Sequence, residues 1–126
     1  MRSGFKFTER SFNPFSKITR SYYGADLKRM VSKLKMKNEP GKVFEYQSIN
    51  TQVLAMILEK ATGKTLEVLL QENLWQPLGA ESDALWSVDN KDNIKAFCCI
   101  NATALDYAKL GRLYLKGGNW QGKQII

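Results

Sequence analysis

The stretch from Pro40 to Gly63 constrains the fold of this chain more than any other. Pro40-Gly41 reads as a turn, Phe44 and Tyr46 flank Glu45, and a long apolar run then extends to Thr62. Ile49, Val53, Leu54, Met56 and Ile57 make a broad apolar face at helical spacing, which predicts a helix over 49–62. Gly63 is a good stop, because glycine adopts the left-handed conformation that closes helices at little cost. Ser48 is placed to cap the helix, and Tyr46 then sits just outside its N-terminus. A phenol held there by backbone geometry can donate or accept a proton, and the helix dipole favours its anion. Tyr46 and Phe44 equally fit as packing aromatics before a core helix, which on spacing alone is the commoner role.

The remaining residue types exclude several functions. The 126 residues, 44% of them hydrophobic, suffice for the core of one domain. No apolar run reaches the length of a membrane span, and the Met1 end lacks a signal pattern. The net charge of +7 comes from 19 basic and 12 acidic residues, with the lysines scattered singly. No recognition helix or RNA motif accompanies them, so they read as a solvated surface and not as a nucleic-acid interface. The lack of histidine excludes a Ser-His-Asp triad and most zinc sites within these residues. Cys98 and Cys99 are adjacent, so a disulfide between them would be strained, and no third cysteine offers a framework or a metal cluster.

Residues 1–24 show no helical period, and Phe5, Phe7, Phe12, Phe15, Tyr22 and Tyr23 suggest an irregular segment pinned by its rings. Asp26 is placed to cap a helix over 26–36, with Leu27, Met30, Val31 and Leu34 inward and Lys28, Arg29, Lys33 and Lys35 in water. Thr65 is placed to cap a helix over 65–75 carrying Leu66, Leu69, Leu70 and Leu74, and the short link predicts a hairpin with the helix before it. Residues 79–95 are polar and turn-rich, and 94–100 is β-prone. Thr103 with Asp106 forms an approximate capping box for a helix over 103–116. Its stripe of Ala104, Tyr107, Ala108, Gly111 and Leu115 would let another helix approach closely. Gly117-Gly118 ends it, and Asn119 to Gly122 is a turn. The expectation is a mainly α single domain over 1–126, with about four helices, an irregular N-terminal segment and at most a short extended segment.

Several short patterns look like chemistry and are better explained otherwise. A Ser-x-x-Lys nucleophile needs its serine at the start of a buried helix with the lysine one turn on. Ser3-Gly4-Phe5-Lys6 lies in an irregular segment, and Ser32-Lys33-Leu34-Lys35 lies mid-helix on the wet side. Gly63-Lys64-Thr65 lacks the upstream glycine and strand of a phosphate loop. Lys116-Gly117-Gly118 is a helix end, and Asn101-Ala102-Thr103 is a formal glycosylation acceptor whose threonine caps a helix.

Longer patterns carry a resemblance. Pro-Gly-x-x-Phe-x-Tyr-x-Ser-x-Asn-Thr-x-Val-Leu from Pro40, with Leu58-Glu59-Lys60-Ala61-Thr62-Gly63-Lys64-Thr65-Leu66 and Leu74-Trp75-Gln76-Pro77-Leu78-Gly79-Ala80, resembles the penicillin-recognising serine hydrolases. The similarity is greatest to the branch of class C β-lactamases, related esterases and 6-aminohexanoate-dimer hydrolases, and covers nearly the whole chain. Met1-Arg2-Ser3-Gly4, Cys98-Cys99-Ile100-Asn101-Ala102-Thr103 and Gly111-Arg112-Leu113 fit the same branch.

The resemblance implies a Ser-x-x-Lys nucleophile, a Tyr-x-Asn or Tyr-x-Ser second motif and a Lys/His-x-Gly strand motif. Tyr46-Gln47-Ser48 matches the second, with Ser48 where better-known members carry Asn, while the nucleophilic Ser and Lys and the third motif are missing here. It thus implies a partial chain, the inserted helical domain of a larger hydrolase whose α/β domain supplies the rest. Catalytic roles fall on Tyr46, as proton shuttle, and Ser48, orienting substrate or lysine, with Tyr22 and Tyr23 bordering the cleft. No cofactor or metal is implied. The partners are a small-molecule or peptide substrate and the missing domain, and the compartment is bacterial, either exported or cytoplasmic. The chain alone is expected to be inactive. The alternative is a stand-alone helical module that binds a protein or peptide without catalysis.

Overall fold

The computed structural model describes residues 1–9, 13–24 and 26–126. Phe12, counted above among the aromatic anchors, lies outside the described residues. The fold is mainly helical: α1 (Lys17–Tyr23), α2 (Leu27–Ser32), α3 (Ile49–Thr62), α4 (Leu66–Leu70) and α5 (Ala104–Leu115) are accompanied by short strand pairs before and after α5. Contacts divide the chain into two compact units, Met1–Leu58 with Ser87–Cys99, and Glu59–Trp86 with Ile100–Ile126.

In the first unit Phe7, Ile18 and Ile49 form the core, with Phe5, Tyr22, Met30, Val31 and Leu34 packed around them. The segment expected to be irregular contains α1. Ser16 Oγ accepts from Thr19 N at 3.2 Å and caps it, Ile18 and Ser21 face inward, and Tyr22 meets Phe97 edge-on at 5.2 Å. Helix α2 is capped by Asp26, whose side chain accepts from Arg29 N at 2.8 Å, but it stops at Ser32 and not near 36. Residues 35–37 pair instead with the N-terminal segment: Lys6 N donates to Lys35 O and Lys37 N to Gly4 O, both at 2.7 Å. That pairing needs a glycine at position 4, where φ is +77° and a Cβ would collide with the Asn38 carbonyl.

Helix α3 spans the predicted residues but buries a face rotated from the predicted one, with Val53 and Met56 half-buried. Ile49, Asn50, Gln52 and Ala55 are inside, whereas Leu54, Ile57 and Leu58 are exposed. The carboxamide of Gln52 explains the orientation. It donates to Ile94 O and accepts from Ala96 N, each at 2.9 Å, giving partners to backbone groups in a segment with little ladder pairing of its own. Cys98 and Cys99, despite their adjacency, are joined by a disulfide of 2.01 Å, with φ +73° at Cys99 where the chain turns.

In the second unit α4 continues without a break into a π-helical turn over Gln71–Trp75, so the helical span agrees with the one expected over 65–75. Thr65 makes no capping bond; Glu59 Oε1 accepts from Leu66 N at 3.1 Å in its place. Leu66, Leu69, Leu70 and Leu74 are half-buried and none is buried, unlike the inner face of a tight hairpin. At α5 the capping box forms as expected: Asp106 N donates to Thr103 Oγ1 at 3.2 Å, and Thr103 Oγ1 donates to Asp106 Oδ2 at 2.8 Å. The buried residues of α5 are Asp106 and Leu113, so the stripe of Ala104, Tyr107, Ala108, Gly111 and Leu115 faces solvent and presents no helix-packing surface within this unit. Asp106 sets that rotation. It accepts from Glu81 N at 2.9 Å, and this bond, with those from Thr103 and Lys109, holds its carboxyl below the usual range against the effect of burial. The extended segment expected over 94–100 is limited to β2 (Ile100–Asn101), paired antiparallel with β1 (Leu85–Trp86), and a single bridge from Val88 to Ile94. Past α5, β3 (Asn119–Trp120) and β4 (Lys123–Gln124) form a hairpin through Gln121-Gly122, both at positive φ.

Candidate active site

Residues 43–47 approach α3 without regular secondary structure. Phe44 and Tyr46 are each 65% exposed, and Gln47 is buried. The Gln47 carboxamide donates to Phe5 O at 3.0 Å and to Phe7 O at 3.1 Å. Glu45 N donates to Met1 O at 3.1 Å. The chain is thus fixed on either side of Tyr46, while the phenol stands in solvent. Its hydroxyl has no hydrogen-bond partner among the described residues. Tyr46 and Phe44 are mostly exposed, unlike packing aromatics, among the described residues.

Ser48 is only 8% exposed and does not cap α3 with its side chain as expected. The N–H groups of Asn50 and Thr51 close tight turns onto Gln47 O and Ser48 O, both at 3.0 Å. Ser48 instead binds Glu9: its N–H donates to Glu9 Oε1 at 2.6 Å and its hydroxyl to Oε2 at 3.2 Å. An ionised carboxylate is a strong acceptor and takes the one hydrogen of the hydroxyl. The structure brings Tyr46 and Ser48 onto one rigid turn, with no hydrogen bond between them among the described residues. The contacts of Glu9 and Gln47 with this turn are not legible in the sequence; Glu9 lies 39 positions from Ser48 and has no motif around it.

Next to this turn, Asn50, Val53, Leu54, Met1, Arg2 and Phe5 line a cavity of about 330 Å³. Asn50 Nδ2 and Gln47 Oε1 are buried and have no hydrogen-bond partner among the described residues. A second cavity in the same unit, of about 490 Å³, is rimmed by Lys17, Arg20, Arg29 and Lys33 over Phe7, Met30 and Leu34. Neither Tyr46 nor Ser48 lines either one. Tyr22 is half-buried against Phe97, as an anchor would be, and Tyr23 is exposed. The serines of the two Ser-x-x-Lys copies have local backbone partners. Ser3 Oγ accepts from Phe5 N at 3.4 Å, and exposed Ser32 donates to Arg29 O at 2.9 Å. Among the described residues no group of three or more His, Cys, Asp or Glu is suited to a metal ion, and no helix is long and apolar enough to cross a membrane.

The sequence model of the family described as Beta-lactamase matches residues 1–125. The chain belongs to the β-lactamase family. Its relatives place it with the penicillin-recognising serine hydrolases. It is 39% identical over 83 residues to a 6-aminohexanoate-dimer hydrolase of Paenarthrobacter ureafaciens, an alignment covering 66% of this chain and 21% of that protein. A solved structure described as "putative 6-aminohexanoate-dimer hydrolase", from Bacillus anthracis, superposes with a TM-score of 0.75 at 36% identity, covering 79% of this chain and 26% of the other. This β-lactamase-family chain therefore spans about a fifth to a quarter of the length of these relatives.

Proposed function

We propose that residues 1–126 are part of a larger serine hydrolase that cleaves linear amides through an acyl-enzyme, with Tyr46 as its proton carrier. The observation that carries this reading is the presentation of Tyr46: an exposed phenol whose hydroxyl has no hydrogen bond among the described residues, on a turn fixed by the buried Gln47. In the reaction, a serine supplied by another part of the protein attacks the carbonyl, and Tyr46 takes its proton and delivers it to the leaving amine. Water then attacks the ester and gives its own proton to the Tyr46 oxygen, which passes it to the departing serine oxygen. Ser48 orients the substrate or the ammonium group that assists the phenol.

Both relatives are named for hydrolysis of a 6-aminohexanoate dimer, and two amino acids condense through an amide, which favours that substrate class. The exposed Leu54, Ile57 and Leu58 on α3 support a larger protein, since contiguous apolar surface of this kind is ordinarily covered.

The test is to incubate the full-length protein with a linear amino-acid dimer, a chromogenic ester and a β-lactam, and to follow turnover and intact mass. Turnover with an acyl adduct on a serine outside residues 1–126 is expected, and the isolated chain should show neither. An adduct on Ser3 or Ser32 would contradict the proposal.

A further inference from the structure

We propose that Glu9 is a positioning residue for the Tyr46–Ser48 turn, and that it acts by fixing the Ser48 hydroxyl as a hydrogen-bond acceptor. This rests on the hydrolase reading above. A serine hydroxyl carries one hydrogen and two lone pairs and rotates to suit its surroundings, whereas an ionised carboxylate only accepts. With Glu9 Oε2 at 3.2 Å, the Ser48 hydroxyl gives its one hydrogen to Glu9, and only lone pairs remain on Oγ. A group that meets this oxygen must bring its own hydrogen. Such a group is an ammonium or an amide N–H, not a substrate carbonyl.

The second bond, from Ser48 N to Oε1 at 2.6 Å, ties the same carboxylate to the backbone between Tyr46 and α3. Glu9 therefore sets both the polarity of Ser48 and the path of the chain that aims the phenol. Gln47 fixes the turn from its buried side through Phe5 and Phe7, so the residues around Tyr46 are held from two directions.

The test uses the full-length protein and compares kcat, KM and melting temperature for Glu9→Gln, Ser48→Ala and the double variant, with Tyr46→Phe as reference. Glutamine keeps the shape and still accepts from Ser48 N, but its amide hydrogen points at Oγ and reverses the second bond. A fall in kcat of about 10- to 100-fold is expected, the scale of a small mispositioning in an active site, with KM and melting temperature nearly unchanged. Adding Ser48→Ala to Glu9→Gln should cost nothing further, because Glu9 acts through that hydroxyl. Wild-type kcat in Glu9→Gln, losses that add in full, or a Glu9→Gln protein that does not fold would each overturn the proposal. Turnover that Tyr46→Phe abolishes and Glu9→Gln leaves untouched removes the role of Glu9 alone. A full-length protein without turnover removes the hydrolase reading and this proposal together.

Discussion

Asp89 holds the start of α2 from 62 residues away: its Oδ2 accepts from Leu27 N at 2.6 Å. Burial by itself raises the pKa of this carboxyl. The N–H of Leu27, the Asn93 carboxamide and the N–H groups of Asn93 and Lys91 outweigh that effect, and the carboxyl titrates below its ordinary value of 3.8. A carboxyl with a lowered folded-state pKa contributes stability that is fully present above its unfolded pKa and is lost as pH falls through the folded one. Melting temperature should therefore hold from neutral pH to about 5 and drop below about 4. Asp89→Asn should melt lower at neutral pH and show a shallower acid decline, which thermal melts across pH can check.

Gln52 is the polar centre of the first unit, and its replacement tests why α3 turns that side inward. Gln52→Leu would leave Ile94 O and Ala96 N without their present partners. Each stranded group costs about 1–3 kcal/mol, so a total loss of about 2–6 kcal/mol is expected in urea denaturation. Unchanged or increased stability would mean that the apolar side chain packs as well as the bridge holds.

Leu113 and Leu54 separate buried from exposed faces. Leu113 has no exposed surface, and Leu113→Ala should destabilise the chain by about 2–5 kcal/mol. Leu54 is 60% exposed, and Leu54→Ala should stay within about 0.5 kcal/mol in the isolated chain. Equal costs in the two variants would show that α3 buries the face predicted from its aliphatic residues.

How far the sequence could be read follows from these residues. The limits of α3 and the Thr103–Asp106 box of α5 rest on local signals, a glycine stop and an N-cap, and both were legible. The buried faces were not, because long-range polar bonds from Gln52 to residues 94–96 and from Asp106 to Glu81 determine them, and periodicity weighs only apolar residues. The early end of α2 has the same origin, since residues 35–37 pair with a segment some thirty positions earlier. Of the candidate site, Tyr46 and Ser48 are legible in their motif. Glu9 is not, because a lone glutamate far along the chain carries no sign of the serine it will meet.

The central claim is that the exposed hydroxyl of Tyr46 carries protons. Tyr46→Phe in the full-length protein removes that one atom from a side chain with no hydrogen bond among the described residues, so melting temperature should not change. Steady-state turnover of the amide or ester substrate is the measurement. A fall of about 100- to 10,000-fold is expected, the usual contribution of a general acid-base group. Wild-type turnover in a folded Tyr46→Phe protein would contradict the account.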